Sequence, residues 1–267
     1  MALVTVLTRD PKLRSAVRSP LLDAHVVAST RSWERLSWLL RERPATALIL
    51  DSGALPPDVV PDAAVGDLRR RYPSVAVLLI VRPGADPVSL FRLGRAGLGE
   101  LVLLPVDALD AEVARALRGA LSGGTASLVT RAVSAHLPSR QSQAIRTAME
   151  GVQRAWSAED LAANMGLTRQ HLSVLLKGAG LPSTGHLLIW AKLLHAGRWL
   201  ADPGRSAESV SRQLEYSSGA AFRRALRAYV GATPTEVKGG GGLRFVLLRF
   251  LDACGLRDSV VFGRSVA

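Results

Sequence analysis

The sequence is poor in cysteine and has no long apolar run, and these two absences exclude several classes of protein. Cys254 is the only cysteine among the 267 residues, so the chain forms no internal disulfide and no cysteine-rich metal site. No run approaches the roughly 18 apolar residues of a membrane span. The apolar segment Met1–Leu7 lacks a basic flank and a cleavage site, which predicts a strand and not a signal peptide. We therefore expect a cytoplasmic protein that does not contact membranes.

Residue groupings typical of enzymes are also missing. The five histidines are scattered along the chain. No Ser-His-Asp, Cys-His, paired-carboxylate or phosphate-loop arrangement stands out. We therefore expect a protein that is not an enzyme and that needs no metal or cofactor.

What the sequence does have is positive charge, and this charge is unevenly distributed. The formal net charge is +12. Residues 1–120 carry +3 (16 basic and 13 acidic side chains), whereas residues 121–238 carry +7 (14 basic and 7 acidic). A GC-rich genome would explain why 30 of the 34 basic side chains are arginine, but it would raise arginine in both halves. The asymmetry is typical of a surface that binds phosphate groups.

Length and composition predict more than one domain. A hydrophobic content of 48% in 267 residues suffices for two cores. We predict a domain over 1–122, connecting helices over 123–156, a helical domain over 157–238, and a glycine hinge with an apolar tail over 239–267. The tail segment Leu243–Leu251 is too short to span a membrane, so we expect it to pack on the helical domain or on a partner subunit.

In the first 121 residues short apolar runs alternate with helical patterns such as Thr30–Arg43. The near-continuous apolar run Val75–Val81 predicts a strand buried on both faces, and hence a parallel sheet covered by helices. Five β-α units in about 120 residues fit a flavodoxin-like α/β domain. The predicted strands are Leu3–Leu7, His25–Ala28, Thr46–Leu50, Val75–Val81 and Glu100–Leu104.

This half resembles the receiver domain of response regulators. Asp51 ends the third predicted strand, as the phospho-accepting aspartate of that family does, and Pro105 follows the fifth. The groups that support phosphorylation in receivers, a pair of acidic Mg²⁺ ligands, a switch hydroxyl and a lysine, are replaced here by Thr8 and Arg9, Val81, and Leu104. Phosphoryl transfer needs a divalent cation and a cationic side chain to neutralise the developing charge. We therefore interpret Asp51 as an inactive acceptor and the domain as a pseudo-receiver.

Two arginines lie next to these positions. Arg82 directly follows a predicted strand, Arg9 lies two residues after one, and either could hold an anion there. We expect both to be solvated at the surface instead. A pseudo-receiver of this kind would act by packing, either as a dimerisation surface or as a docking site for a protein or a small ligand.

The carboxy-terminal half contains two similar patterns, Ser157–Lys177 and Ser206–Tyr229. Each has an apolar-periodic helix, a turn of about three residues, a hydroxyl cap and a second helix, which is the unit whose second helix fits the major groove of DNA. One such pattern is weak evidence because any helical hairpin imitates it, but two are stronger. A helix over Gly185–Ala201 would span roughly 25 Å and place the two units about one duplex turn apart.

Residues 140–238 resemble the DNA-binding domain of the AraC/XylS transcriptional regulators. The matching segments are Asp160–Ala163, Met165–Thr168, Leu172 with Leu176, Lys192, Ala196, Leu200, Phe222–Leu226 and Gly231–Glu236. Four positions depart from the family pattern, namely Val174, Glu215, Tyr216 and Val237. The resemblance implies an all-α domain with two helix-turn-helix motifs that binds double-stranded DNA and regulates transcription.

The residues expected to contact DNA lie at the caps and on the polar faces of the second helices. Arg169 and Gln170 can read guanine and adenine edges, and Lys177 suits a phosphate. The helix that begins at Gly219 has no polar side chain before its arginines, which we expect to contact phosphate. The full set is Thr168, Arg169, Gln170, His171, Ser173, Lys177, Ser218, Arg223, Arg224 and Arg227. For His171 a partly buried place on the helix face is an equal alternative.

These observations predict a sequence-specific transcription regulator that uses two recognition helices in successive major grooves. Its receiver-like domain is expected to be non-phosphorylated and to serve dimerisation or sensing. Two alternatives stay open: a phosphorylation-dependent response regulator, and a protein-interaction adaptor that does not bind DNA. A homodimer formed through the amino-terminal domain or the tail is also open.

Overall fold

The structure is a computed structural model, and it describes residues 2–18, 25–43, 45–84, 86–96, 98–122 and 124–256. Contacts divide the chain into two units. One runs to Gly124 and also includes Asp202–Gly204, and the other holds the remaining residues from Thr125 onward. Within the described ranges, no helix has the length and apolar character needed to cross a membrane.

The first unit is built on a five-stranded sheet in the order β2-β1-β3-β4-β5, with all neighbouring strands parallel. This is the flavodoxin-like order, and it confirms the predicted fold class. The strand ends differ from the predicted ones by one or two residues, which is the ordinary uncertainty of element boundaries. The strands are β1 (Ala2–Leu7), β2 (His25–Thr30), β3 (Ala47–Asp51), β4 (Ala76–Val81) and β5 (Glu100–Leu103).

Helices cover both faces of this sheet. Along β3 the side chains alternate between two apolar cores: Leu48 and Leu50 belong to one, and Ala47 and Ile49 to the other. The second helix begins at Trp33, later than predicted, because β2 continues to Thr30. The helices are α1 (Pro11–Arg18), α2 (Trp33–Glu42), α3 (Pro61–Arg71), α4 (Pro87–Arg95) and α5 (Leu109–Ser122).

The second unit is helical and is organised around one long helix. That helix, α10, is buried along most of its length and contacts all the other α-helices described in the unit. Trp190 and Leu194 are among its buried apolar side chains, which explains why it is apolar nearly all round. The helices are α6 (Thr125–Ser134), α7 (Ser139–Gly151), α8 (Ala158–Asn164), α9 (Arg169–Lys177), α10 (Thr184–Leu200), α11 (Ala207–Gln213), α12 (Gly219–Val230), α13 (Pro234–Gly239) and α14 (Leu243–Ala253).

The apolar tail belongs to the core of this second unit. Phe250 of α14 is fully buried, and its ring lies 5.4 Å from that of Trp190. A Cβ on Gly197 of α10 would lie 2.8 Å from a methyl group of Val246, so the glycine allows the two helices to approach closely. The glycine segment expected to be a flexible hinge forms a tight turn instead, because the N–H of the buried Gly242 donates to the carbonyl of Val237 at 2.8 Å.

Candidate nucleic-acid interface

The first helix pair, α8 and α9, is defined by two hydroxyl caps. The hydroxyl of Ser157 accepts from the N–H of Asp160 at 3.1 Å, and the carboxylate of Asp160 accepts from the N–H of Ser157 at 2.9 Å. The hydroxyl of Thr168 accepts from the N–H of His171 at 3.2 Å and begins α9. Between the helices Gly166 takes a φ of 65°, a conformation that glycine adopts without strain. The turn and both caps follow from local sequence.

The second pair, α11 and α12, repeats this design. Ser206 caps α11 with a reciprocal capping box to Ser209, and Ser218 accepts from the N–H at the third position of α12 at 3.1 Å. Glu215 stands where the first pair has Gly166 and takes a φ of 57°. For a non-glycine residue this left-handed conformation costs roughly 1–2 kcal/mol. The family's usual glycine would avoid that strain.

The structure leaves most of the predicted DNA-contacting side chains exposed. The exception is Ser173, which is half-buried and whose Oγ lies 3.4 Å from Oγ1 of the buried Thr184. His171 is exposed, so the alternative of a partly buried place is wrong. The exposed members are Thr168, Arg169, Gln170, His171, Lys177, Ser218, Arg223, Arg224 and Arg227.

Sequence reasoning missed an ion pair at the front of α9. Nη1 of Arg169 lies 2.8 Å from Oε1 of Glu159, which is on α8. Both side chains are about two-thirds exposed, at 65% and 63%, so the pair adds little to stability. Its effect is positional, because it holds the guanidinium at the amino end of α9. The two residues are ten positions apart and a turn lies between them, so helical periodicity could not reveal this pairing.

Two of the three arginines of α12 form one wall of a pocket. Arg223 and Arg227, one helical turn apart, line a concave space of about 390 Å³ together with Thr233, Pro234 and Thr235 at the start of α13. Along the sequence, Arg227 follows its helix cap, Ser218, by the same number of residues as Lys177 follows Thr168, the cap of α9. Two guanidinium groups beside threonine side chains can hold a phosphate group. The threonines were not predicted, since only the packing of α13 brings them here.

Asp51, the predicted inactive acceptor of the first unit, is buried at the carboxyl end of β3 and 1% exposed. Its Oδ2 accepts from the Thr8 hydroxyl at 2.7 Å and from Nη2 of Arg82 at 3.0 Å. Its Oδ1 accepts from Nε of Arg82 at 3.2 Å and from the N–H of Gly53 at 3.0 Å. Both carboxylate oxygens are therefore occupied by donors of the chain itself.

The expectation that Arg82 is merely solvated is wrong. It makes a two-point ion pair with Asp51 and lies 3.5 Å from the carboxylate of Asp10. The hydrogen bond to Asp51 raises the pKa of Arg82 above its usual value. A side chain on Gly53 would collide with the guanidinium, so a glycine is needed where Arg82 crosses the loop. Arg82 thus supplies positive charge to two carboxylates, those of Asp51 and Asp10.

Residues 161–239 match a family model described as a helix-turn-helix domain. The chain carries an AraC-type helix-turn-helix domain. The matched segment covers most of α8 and all of α9 to α13. The tail helix α14 lies outside the match, yet its side chains complete the core of the helix-turn-helix domain.

Solved response regulators share low sequence identity with this chain. One from Thermotoga maritima is 18% identical, with 46% of this chain and 98% of that chain covered and a TM-score of 0.40. Full-length FixJ from B. japonicum is 15% identical, with 84% of this chain and 95% of FixJ covered and a TM-score of 0.39. RcsB from Salmonella enterica serovar Typhimurium is 18% identical, with 70% of this chain and 97% of RcsB covered and a TM-score of 0.38. No curated protein matches the chain. The receiver-like description of the first unit rests on its strand order.

Proposed function

We propose that this protein regulates transcription by binding a specific duplex DNA sequence with α9 and α12 in successive major grooves. The observation that carries the proposal is the repetition of the capped helix pair, in which both second helices present exposed polar or basic side chains. A helix-turn-helix uses its second helix to contact base edges. The cytoplasmic location expected from the sequence is consistent with this role.

In this proposal the two helix pairs make different kinds of contact with DNA. Arg169 and Gln170, at the amino end of α9, carry groups that make bidentate contacts to guanine and adenine. Arg223 and Arg227 line the pocket beside α13 and neutralise a phosphate, which positions the protein without reading sequence. Arg224 is exposed but does not line that pocket, so we assign it to the groove side of α12.

We expect the protein to bind duplex DNA with an affinity that falls linearly with salt on a double logarithmic plot, by about 0.9 log unit per neutralised phosphate. Arg227→Ala is expected to lower this slope by about one unit for every sequence alike, because one phosphate contact is lost. Fluorescence anisotropy with labelled duplexes over a series of salt concentrations measures both.

The matched control is Arg146→Ala, which removes the same charge from α7, where Arg146 is exposed and pairs with Glu150. It is expected to keep the wild-type slope. A salt-independent response, or equal binding to an uncharged polymer, would refute DNA binding and favour the protein-interaction adaptor.

We further propose that the receiver-like unit acts without phosphorylation, as a dimerisation or sensory domain. A phospho-acceptor needs a free carboxylate oxygen, a divalent cation and a cationic group near the transferred phosphoryl. In this chain donors occupy both oxygens of Asp51, and Arg82 stands beside it. A protein that signals through such a unit would respond to a bound partner or ligand.

Incubation with acetyl phosphate and Mg²⁺ is therefore expected to leave the intact mass unchanged, and Asp51→Asn to leave DNA affinity unchanged. Mass spectrometry and the anisotropy assay measure these two results. A stoichiometric gain of one phosphoryl group that disappears in Asp51→Asn would establish the phosphorylation-dependent alternative.

A further inference from the structure

A glutamate lies at the front of each second helix, and the two glutamates have different surroundings. Glu159 and Glu208 each stand two residues after the serine that caps the first helix of their pair. The carboxylate of Glu159 is paired with Arg169, the first residue of α9. The first residue of α12 is Gly219, and the carboxylate of Glu208 fills the space that a Cβ on this glycine would take.

The charge of Glu208 is not neutralised as that of Glu159 is. Glu208 is exposed, and in the described part of the chain no basic side chain makes an ion pair with it. The neighbouring positions of α12 are Ala220 and Ala221, which have no hydrogen-bonding side chains. Among the described residues at the front of this helix, the carboxylate of Glu208 is therefore the charged side-chain group, beside the hydroxyls of Ser217 and Ser218.

We propose that Glu208 determines the base specificity of the second helix pair by accepting a hydrogen bond from the N4 amino group of a cytosine. The inference rests on the proposed DNA binding. The amino end of a recognition helix faces base edges in the major groove, and a carboxylate there pairs with the amino donor of cytosine. It repels the acceptor atoms of guanine and the phosphates. Gly219 leaves room for the carboxylate in this position, and a side chain there would displace it.

A carboxylate near a helix amino terminus also interacts favourably with the helix dipole. Such an interaction, taken alone, would affect stability without affecting the DNA sequence that is selected. Base preference is therefore the measurement that separates the two roles.

The experiment is a binding selection on randomised duplexes with the full-length wild type, Arg169→Ala, Glu208→Gln and Glu208→Ala. Arg169→Ala identifies the half of the site that α9 contacts, because it changes the base preference there. The wild type is expected to prefer cytosine at one position in the half of the site that Arg169→Ala leaves unchanged. Glu208→Ala is expected to lose that preference by about tenfold. Glu208→Gln is expected to move it towards adenine, since an amide can pair with adenine N6 and N7. Both variants gain affinity for random DNA because a negative charge is removed.

The control is Glu159→Gln, the equivalent change in the first pair. It frees Arg169 and is expected to leave the cytosine position unaltered. Circular dichroism melting checks folding, and since Glu208 is exposed all variants are expected to melt close to the wild type. If both Glu208 variants select the wild-type motif, Glu208 has no reading role although the proposed function stands. If the wild type itself selects no motif, both proposals are wrong.

Discussion

Arg82→Ala is expected to destabilise the amino-terminal unit by about 3 kcal/mol, because it leaves the carboxylate of Asp51 buried without a counterion. Asp51 is 1% exposed, and Arg82 is its ion-pair partner. The remaining donors, the hydroxyl of Thr8 and the N–H of Gly53, are neutral and compensate only part of the charge. Urea unfolding at neutral pH measures the loss.

The effect of Arg82→Ala should depend on the charge of Asp51. In Asp51→Asn the buried group is neutral, and Arg82, whose side chain is 41% exposed, can turn towards solvent. The double variant Asp51→Asn/Arg82→Ala has no unpaired buried charge at this position. It is therefore expected to be more stable than Arg82→Ala alone.

The matched control is Arg115→Ala, which removes a largely exposed arginine that pairs with Glu112 and Glu100 and is expected to cost less than about 1 kcal/mol. Equal losses in Arg82→Ala and Arg115→Ala, or a double variant less stable than Arg82→Ala alone, would show that Asp51 does not depend on Arg82 for its charge balance.

Lowering the pH from about 7.5 to about 5 is expected to reduce the free energy of unfolding of the helical unit by about 2 kcal/mol through His195 alone. His195 is 5% exposed, and its Nε2–H donates to the carbonyl of Met149 at 3.0 Å. Burial lowers the pKa of His195 to about 4. The unfolded chain takes up a proton near pH 6.5 and the folded chain does not, so this contribution to stability is complete above pH 6.5 and is lost as the pH falls towards 4.

Denaturant unfolding at the two pH values, followed by tryptophan fluorescence, measures this dependence. His195→Gln keeps a donor for Met149 and is expected to remove most of the difference between the two pH values. His171→Gln, which changes an exposed histidine, is expected to retain it. An NMR titration in which the imidazole of His195 has a midpoint near 6.5 would contradict the assignment.

Much of the fold and of the candidate interface could be predicted from the sequence, because the signals are local. The buried strand Ala76–Val81 appears as an apolar run, and the caps at Ser157 and Thr168 appear as hydroxyl residues directly before helical patterns. Such features depend on side-chain period and on hydrogen bonds that span a few residues. The same reasoning predicted the exposed faces of α9 and α12. It was wrong about the glycine segment 239–242, because composition alone does not show that Gly242 is buried against α10.

The sequence by itself determined the parallel α/β unit, the two capped helix pairs and the placement of positive charge on the helical unit. Only the tertiary structure decided that Arg82 neutralises Asp51, that Arg223 and Arg227 share a pocket with the start of α13, and that Glu208 occupies the space beside Gly219. Each of these contacts joins different secondary-structure elements, and each depends on how two elements pack. Periodicity and capping describe one element at a time, so they contain no information about which side chain from another element arrives beside it.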